Sequence, residues 1–142
     1  MILALFTAGT VSAVQVPDTA YGNIAVDEEV ALSHEKIAVD QTESIVRSYF
    51  ADIPIMIEVA RCESTFTHTL ADGSVLKGRV DNDDTGVMQI NKRYHQETAL
   101  AMDLDVYDIY DNMAYARYLY ERQGTQPWSA SMPCWGQLAA NY

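Results

Sequence analysis

The stretch Ile53-Pro54-Ile55-Met56-Ile57-Glu58-Val59-Ala60-Arg61-Cys62-Glu63-Ser64-Thr65-Phe66 constrains this chain more than any other. Its apolar residues Ile55, Met56, Val59, Ala60 and Cys62 recur at helical rather than strand spacing, so a helix with one buried face is expected. Asp52 offers an N-cap and Pro54 suits the first turn. The cluster Ser64-Thr65 with Thr67 ends the helix near Ser64. Glu63 then lies on the last turn, on or beside the buried face. Partial negative charge at the helix C-terminus and loss of water both disfavour its ionised form. A carboxyl with a raised pKa suits general acid chemistry near neutral pH. A plain solvated glutamate ending a helix is the competing reading.

Whatever this helix packs against must come from one domain, since the chain has 142 residues. Its formal net charge is −11, from 9 Lys and Arg against 20 Asp and Glu. This argues against nucleic acid as a partner, because a phosphate-binding face needs clustered cations. The same charge argues against an anionic membrane surface, and no apolar run is long enough to span a bilayer. Residues 1–9 read as the apolar part of an export signal, with Val11-Ser12-Ala13 as a small-residue cleavage site; the basic region that precedes such segments is missing. The two cysteines, Cys62 and Cys134, are either buried free thiols in a cytosolic protein or one disulfide in an exported one. A bridge would close a loop of about 70 residues, worth roughly 4 kcal/mol in the chain-entropy model, and would pin the C-terminal segment beside Glu63.

Along the chain, residues 1–42 are a signal-like start and an irregular lead-in, with turns at Pro17-Asp18 and Gly22-Asn23. A helix over residues 40–50 is expected from the stripe Ile45, Val46, Tyr49 and Phe50, capped by Asp40 or Thr42. Asp72-Gly73, between Leu70 and Val75-Leu76, marks a hairpin turn, with a short strand continuing through Lys77-Gly78-Arg79-Val80. Asp81-Asn82-Asp83-Asp84-Thr85-Gly86 imitates the first half of a calcium loop. Lys92 stands where that loop needs a bidentate glutamate, so an acidic turn is preferred and no metal or cofactor is expected. Asn91 caps a further helix through Met102 with Tyr94, Thr98, Ala101 and Met102 inward. A long helix starts near Asp108 or Asp111 and stops at Gly124, with Met113, Ala116, Leu119 and Tyr120 as its stripe. Its tyrosines Tyr110, Tyr115, Tyr118 and Tyr120 are either a core face or a sugar-stacking wall. Residues 125–136 read as a loop containing Pro127, Trp128, Pro133 and Trp135, and residues 137–142 as a short tail. Gln89, embedded in an apolar run, either closes the hairpin onto the helix or faces a cleft, since an unpaired buried amide is costly.

Three segments together resemble the lytic transglycosylase domain shared by soluble lytic transglycosylases and goose-type lysozymes: Cys62-Glu63-Ser64, Gly86-Val87-Met88-Gln89-Ile90-Asn91, and Asn112-Met113-Ala114-Tyr115-Ala116-Arg117-Tyr118-Leu119. The resemblance covers residues 43–136. It implies a mainly α, lysozyme-like α+β fold, a helical bundle with a catalytic cleft and a small β-hairpin. It makes Glu63 the catalytic acid and assigns substrate contacts to Ser64, Gly86, Met88, Gln89, Asn91 and either Tyr115 or Tyr118. The chain departs from the family pattern in two places. Trp128-Ser129-Ala130-Ser131 stands where an Ala-Tyr-Asn-Ala-Gly stretch is usual, and Asn91 stands where goose-type lysozymes carry an acid, which removes a base.

The implied activity is cleavage of the β-1,4 bond between N-acetylmuramic acid and N-acetylglucosamine in peptidoglycan by an extracytoplasmic monomer. One carboxylate suffices if the sugar's own 6-hydroxyl closes onto C1. Hydrolysis needs a water held by Asp81, Asp83 or Asp84. A glycan-binding or scaffold module without turnover is the reading from a different class.

Overall fold

The computed structural model describes residues 28–139, so the export-like segment, the turns at 17–18 and 22–23, and residues 140–142 lie outside the described part. The described residues are mainly helical with one small antiparallel hairpin, as expected. Helix α1 is Glu28–Tyr49 and α2 is Pro54–Ser64. Strands β1, Asp84–Thr85, and β2, Ile90–Asn91, pair with Thr85 opposite Ile90. Helix α3 is Lys92–Ala101, α4 is Ile109–Gln123, a 3₁₀ segment covers Gln126–Ser131, and α5 is Met132–Ala139. Among the described residues no helix is long and apolar enough to cross a membrane.

One core joins these elements. Val46 of α1 and Phe50 just beyond its end, Met56, Val59 and Ala60 of α2, and Met113, Ala116 and Leu119 of α4 are buried together with Val87, Met88 and the two tryptophans. Each large apolar side chain removed from water here contributes about 1.5–3 kcal/mol. The cysteine pair forms one disulfide, Cys62–Cys134, which clips α5 to the end of α2. At the other end Arg117 lays its planar fork on Asp52, at 2.8 and 2.9 Å, and on the Tyr49 carbonyl at 2.8 Å. That guanidinium ties the α1–α2 corner to α4 with the bidentate geometry that only arginine supplies.

Several expectations are corrected. Asp52 does not cap α2: its carboxylate is engaged by Arg117, the capping position is Ile53, and Pro54 starts the helix without an N–H to satisfy. The lead-in is not irregular as far as residue 37, since α1 begins at Glu28 and passes through Asp40 and Thr42. Thr42 therefore does not cap; its hydroxyl donates to the Ala38 carbonyl one turn back. Residues 125–136 are not a loop. The 3₁₀ segment runs into α5, with Pro133 in the first turn of α5 where its missing N–H costs nothing. The turn at Asp72-Gly73 forms, with Gly73 at φ 83°, but the strands around it shrink to the single pairs Thr69–Val75 and Lys77–Thr85. On α3, Tyr94, Thr98, Ala101 and Met102 all face outward, and Ala99 is buried instead. The strand β2 leads straight into α3, so the sheet fixes the helix's rotation before its own apolar residues can.

The ends of α4 follow local signals. Asp108 caps it by accepting from the N–H groups of Tyr110 and Asp111, and Gly124 closes it at φ 60°.

Candidate active site

Helix α2 stops because Thr65 turns left-handed at φ 53° and Phe66 follows at φ 57°. Two consecutive residues without glycine's freedom in that region are strained, and Phe66 holds the turn by burying its ring. The turn leaves Glu63 half-buried on the rim of a cleft of about 370 Å³. Asp84, Gln89, Asn91, Tyr94, His95, Gln123, Pro127, Trp128 and Ala130 complete the lining.

Glu63 Oε1 accepts a 2.5 Å hydrogen bond from the Ser131 hydroxyl. Burial pushes the Glu63 carboxyl above the ordinary glutamate range; the Ser131 bond pulls it back, and the charge of Asp84 pushes it up again. Asp84 is itself raised, first by burial and then by Asp81 and Asp83, against the 2.9 Å bond that Asn91 Nδ2 donates to its Oδ1. Asp81 and Asp83 pair with Arg93, and Asp81 also accepts from Asn91 and from the Asp83 N–H. These bonds hold Asp81 below the usual carboxylate range. The acidic run is thus an internally bonded turn. Among the described residues no group of three His, Cys, Asp or Glu could hold a metal ion.

The floor beside Glu63 is the turn between the two strands. Gly86 takes φ 74°, and a Cβ there would lie 2.7 Å from Asn112 Nδ2 and 2.9 Å from His68 Nδ1. Only glycine fits. Asn112 is fully buried and uses its whole amide: Oδ1 accepts from the Met88 N–H at 3.0 Å, and Nδ2 donates to the carbonyls of Thr85 and Val106. His68, also buried, accepts from the Val87 N–H on Nδ1 at 3.1 Å. Its Nε2 lies 2.9 Å from the Tyr107 carbonyl, which can only accept, so the ring carries its proton on Nε2. Burial lowers the His68 pKa, more than the Tyr107 bond and Asp108 raise it, which keeps the ring neutral. Gln89, left-handed at φ 49°, closes the turn by donating Nε2 to the Gly86 carbonyl at 2.9 Å.

The structure therefore brings Glu63, Gln89 and Asn91 into one cleft and leaves the other expected contacts out of its lining. Ser64 is buried with its hydroxyl on the Ala60 carbonyl. Gly86 and Met88 support the floor, the Met88 side chain being fully buried and its carbonyl accepting from Trp128 Nε1 at 2.9 Å. Tyr115 is a core residue whose hydroxyl shares a hydrogen bond with His95, and Tyr118 packs against its ring. The aromatic walls are instead Tyr94, 70 % exposed, and Trp128. Sequence reasoning missed Ser131, Tyr94, His95 and the two buried polar residues behind the floor, His68 and Asn112. A lone Asn inside the apolar stripe of α4 was a legible signal for Asn112. No local pattern announces Ser131. Compared with known proteins, the chain matches no family model, no curated protein and no solved structure.

Proposed function

We propose that the chain is a lytic transglycosylase of the lysozyme-like superfamily that cleaves the β-1,4 bond between N-acetylmuramic acid and N-acetylglucosamine in extracytoplasmic peptidoglycan. The observation that carries this reading is Glu63: a carboxyl of raised pKa, half-buried at a helix end, in a cleft with aromatic walls. The three resembling segments meet around that cleft, Cys62-Glu63-Ser64 at its rim, Gly86 to Asn91 on its floor, and Asn112 behind the floor. A disulfide joining α2 to α5 is in keeping with an oxidising compartment.

In this mechanism neutral Glu63 gives its proton to the glycosidic oxygen as the bond to C1 breaks. The resulting carboxylate then takes the proton of the muramyl 6-hydroxyl as that oxygen closes onto C1. The products are a free 4-hydroxyl end and a 1,6-anhydro end, and no water is consumed. Tyr94, exposed on the cleft, offers a flat face to a pyranose ring, Trp128 backs the cleft from the core, and the Gln89 and Asn91 amides offer hydrogen bonds without proton chemistry.

A hydrolase is the second reading, favoured by Asp84. It shares the cleft with Glu63 and is fixed by Asn91, which suits it to hold an attacking water. Mass spectrometry of muropeptides after digestion separates the two. Anhydro-muropeptides support the lyase, their hydrated counterparts support the hydrolase, and an unchanged wall with intact, folded protein refutes turnover altogether.

A further inference from the structure

We propose that Ser131 is a positioning residue for Glu63: its hydroxyl holds Oε1 and tightens its hold as the carboxyl proton leaves. The inference rests on the reading of Glu63 as the acid. The Ser131 oxygen lies 2.5 Å from Glu63 Oε1 and 3.1 Å from the Trp128 carbonyl, but a hydroxyl has one hydrogen. The Trp128 carbonyl already receives the Trp135 indole N–H at 3.0 Å, whereas Oε1 is the nearer acceptor and carries charge when Glu63 ionises. As Glu63 ionises the hydrogen therefore goes to its carboxylate.

The geometry has a catalytic consequence. A hydrogen bond to a carboxylate is roughly twice as strong as one to a neutral carbonyl. The Ser131 bond is thus weaker before proton transfer and stronger as negative charge develops, which is the kind of interaction that lowers a barrier rather than improving substrate binding. The contact is also built in covalently. Cys62 and Cys134, which flank the pair in sequence, are disulfide-bonded, and the Trp128 and Trp135 indoles anchor the 3₁₀ segment from both sides. The other polar groups facing Glu63 in the cleft are the Asp84 carboxyl from β1 and the neutral amides and imidazole of Gln89, Asn91 and His95; among the described residues no Lys or Arg lines it. Ser131 is thus the donor that offsets burial and Asp84.

The test is the Glu63 carboxyl titration followed by carbon-13 NMR, assigned by its absence in Glu63→Gln, alongside the pH profile of peptidoglycan cleavage. Ser131→Ala should raise the Glu63 pKa and move the alkaline limb of the profile to higher pH. It should lower kcat about 5–10-fold, the difference between a neutral and a charge-assisted bond, with KM unchanged. Ser131→Thr, which keeps the hydroxyl, should restore titration and rate. Ser131→Gly serves in the same way should the alanine variant not fold. A folded variant without the hydroxyl whose Glu63 titrates as in the wild type overturns the proposal, as does a threonine variant shifted as far as alanine. Wild-type protein without cleavage defeats the functional reading alone, because the titration arm still decides whether Ser131 governs Glu63.

Discussion

Cys62 and Cys134 are disulfide-bonded, and the neighbour of the first, Glu63, accepts a hydrogen bond from Ser131, three positions before the second. The bridge and the hydrogen bond therefore join the same two segments, one covalently and one through the candidate acid. The bridge spans 72 residues, so its loss should cost about 4 kcal/mol in the chain-entropy model. Cys62→Ser with Cys134→Ser should melt well below the wild type and cleave peptidoglycan more slowly even at temperatures where it is folded. Equal melting in oxidised and reduced protein would show that the bridge does not hold the fold.

Replacing Glu63 by Gln should abolish cleavage while improving stability at neutral pH. Acid–base assistance alone contributes about 10²–10⁴-fold to the rate. The stability effect follows from linkage. Burial raises the folded pKa of Glu63 above its unfolded value, so the unfolded chain ionises first as pH rises. The protein is then least penalised at acid pH and loses stability as pH climbs through that window. Gln cannot ionise and can still accept from Ser131. The variant should melt above the wild type at neutral pH, with the gap closing below the ordinary glutamate range. A wild-type rate in the variant would remove Glu63 from the mechanism.

The opposite sign is expected for His68. Its folded pKa is depressed, chiefly by burial, so its contribution is complete above the ordinary histidine pKa and is lost as pH falls below it, when the unfolded chain takes up the proton first. Protonation would also place a hydrogen on Nδ1 against the Val87 N–H. His68→Ala should leave the Val87 N–H and the Tyr107 carbonyl without partners, at about 1–3 kcal/mol each. Thermal melts from neutral to acid pH check this: the wild type should lose stability below the histidine range more steeply than His68→Ala. Parallel curves would show that another group controls the acid limb.

The parts of the fold legible in the sequence are those with a local cause. Pro54 starts α2, Asp108 caps α4 and Gly124 ends it, each within one turn of the element it bounds. The first half of α1 had no such signature, because residues 31–38 are all exposed and no apolar stripe marks them. On α3 the stripe was real but faces outward, where Tyr94 becomes a cleft wall. Glu63 and Gln89 were legible because each sits against its surroundings, an acid at a helix C-terminus and an amide in an apolar run. Ser131 was not, because its contact with Glu63 spans 68 residues and depends on how α5 returns to α2.

Gln89 offers the sharpest separation of structure from binding. Its amide both closes the turn onto the Gly86 carbonyl and lines the cleft, and its backbone sits at φ 49°, a left-handed conformation that costs a non-glycine residue about 1–2 kcal/mol. Gln89→Ala removes the amide and keeps the strained backbone, so stability should fall by about 0.5–1.5 kcal/mol for the lost bond. Gln89→Gly removes the amide and relieves the strain, so its melting temperature should recover toward the wild type. If the amide holds the glycan, both variants should lose cleavage to the same extent while their melting temperatures differ. Parallel measurements of melting and muropeptide release decide the matter. Cleavage that recovers in Gln89→Gly in step with its melting temperature would mean that the amide only closes the turn, and the glycan contacts would then have to come from Asn91 and the aromatic walls.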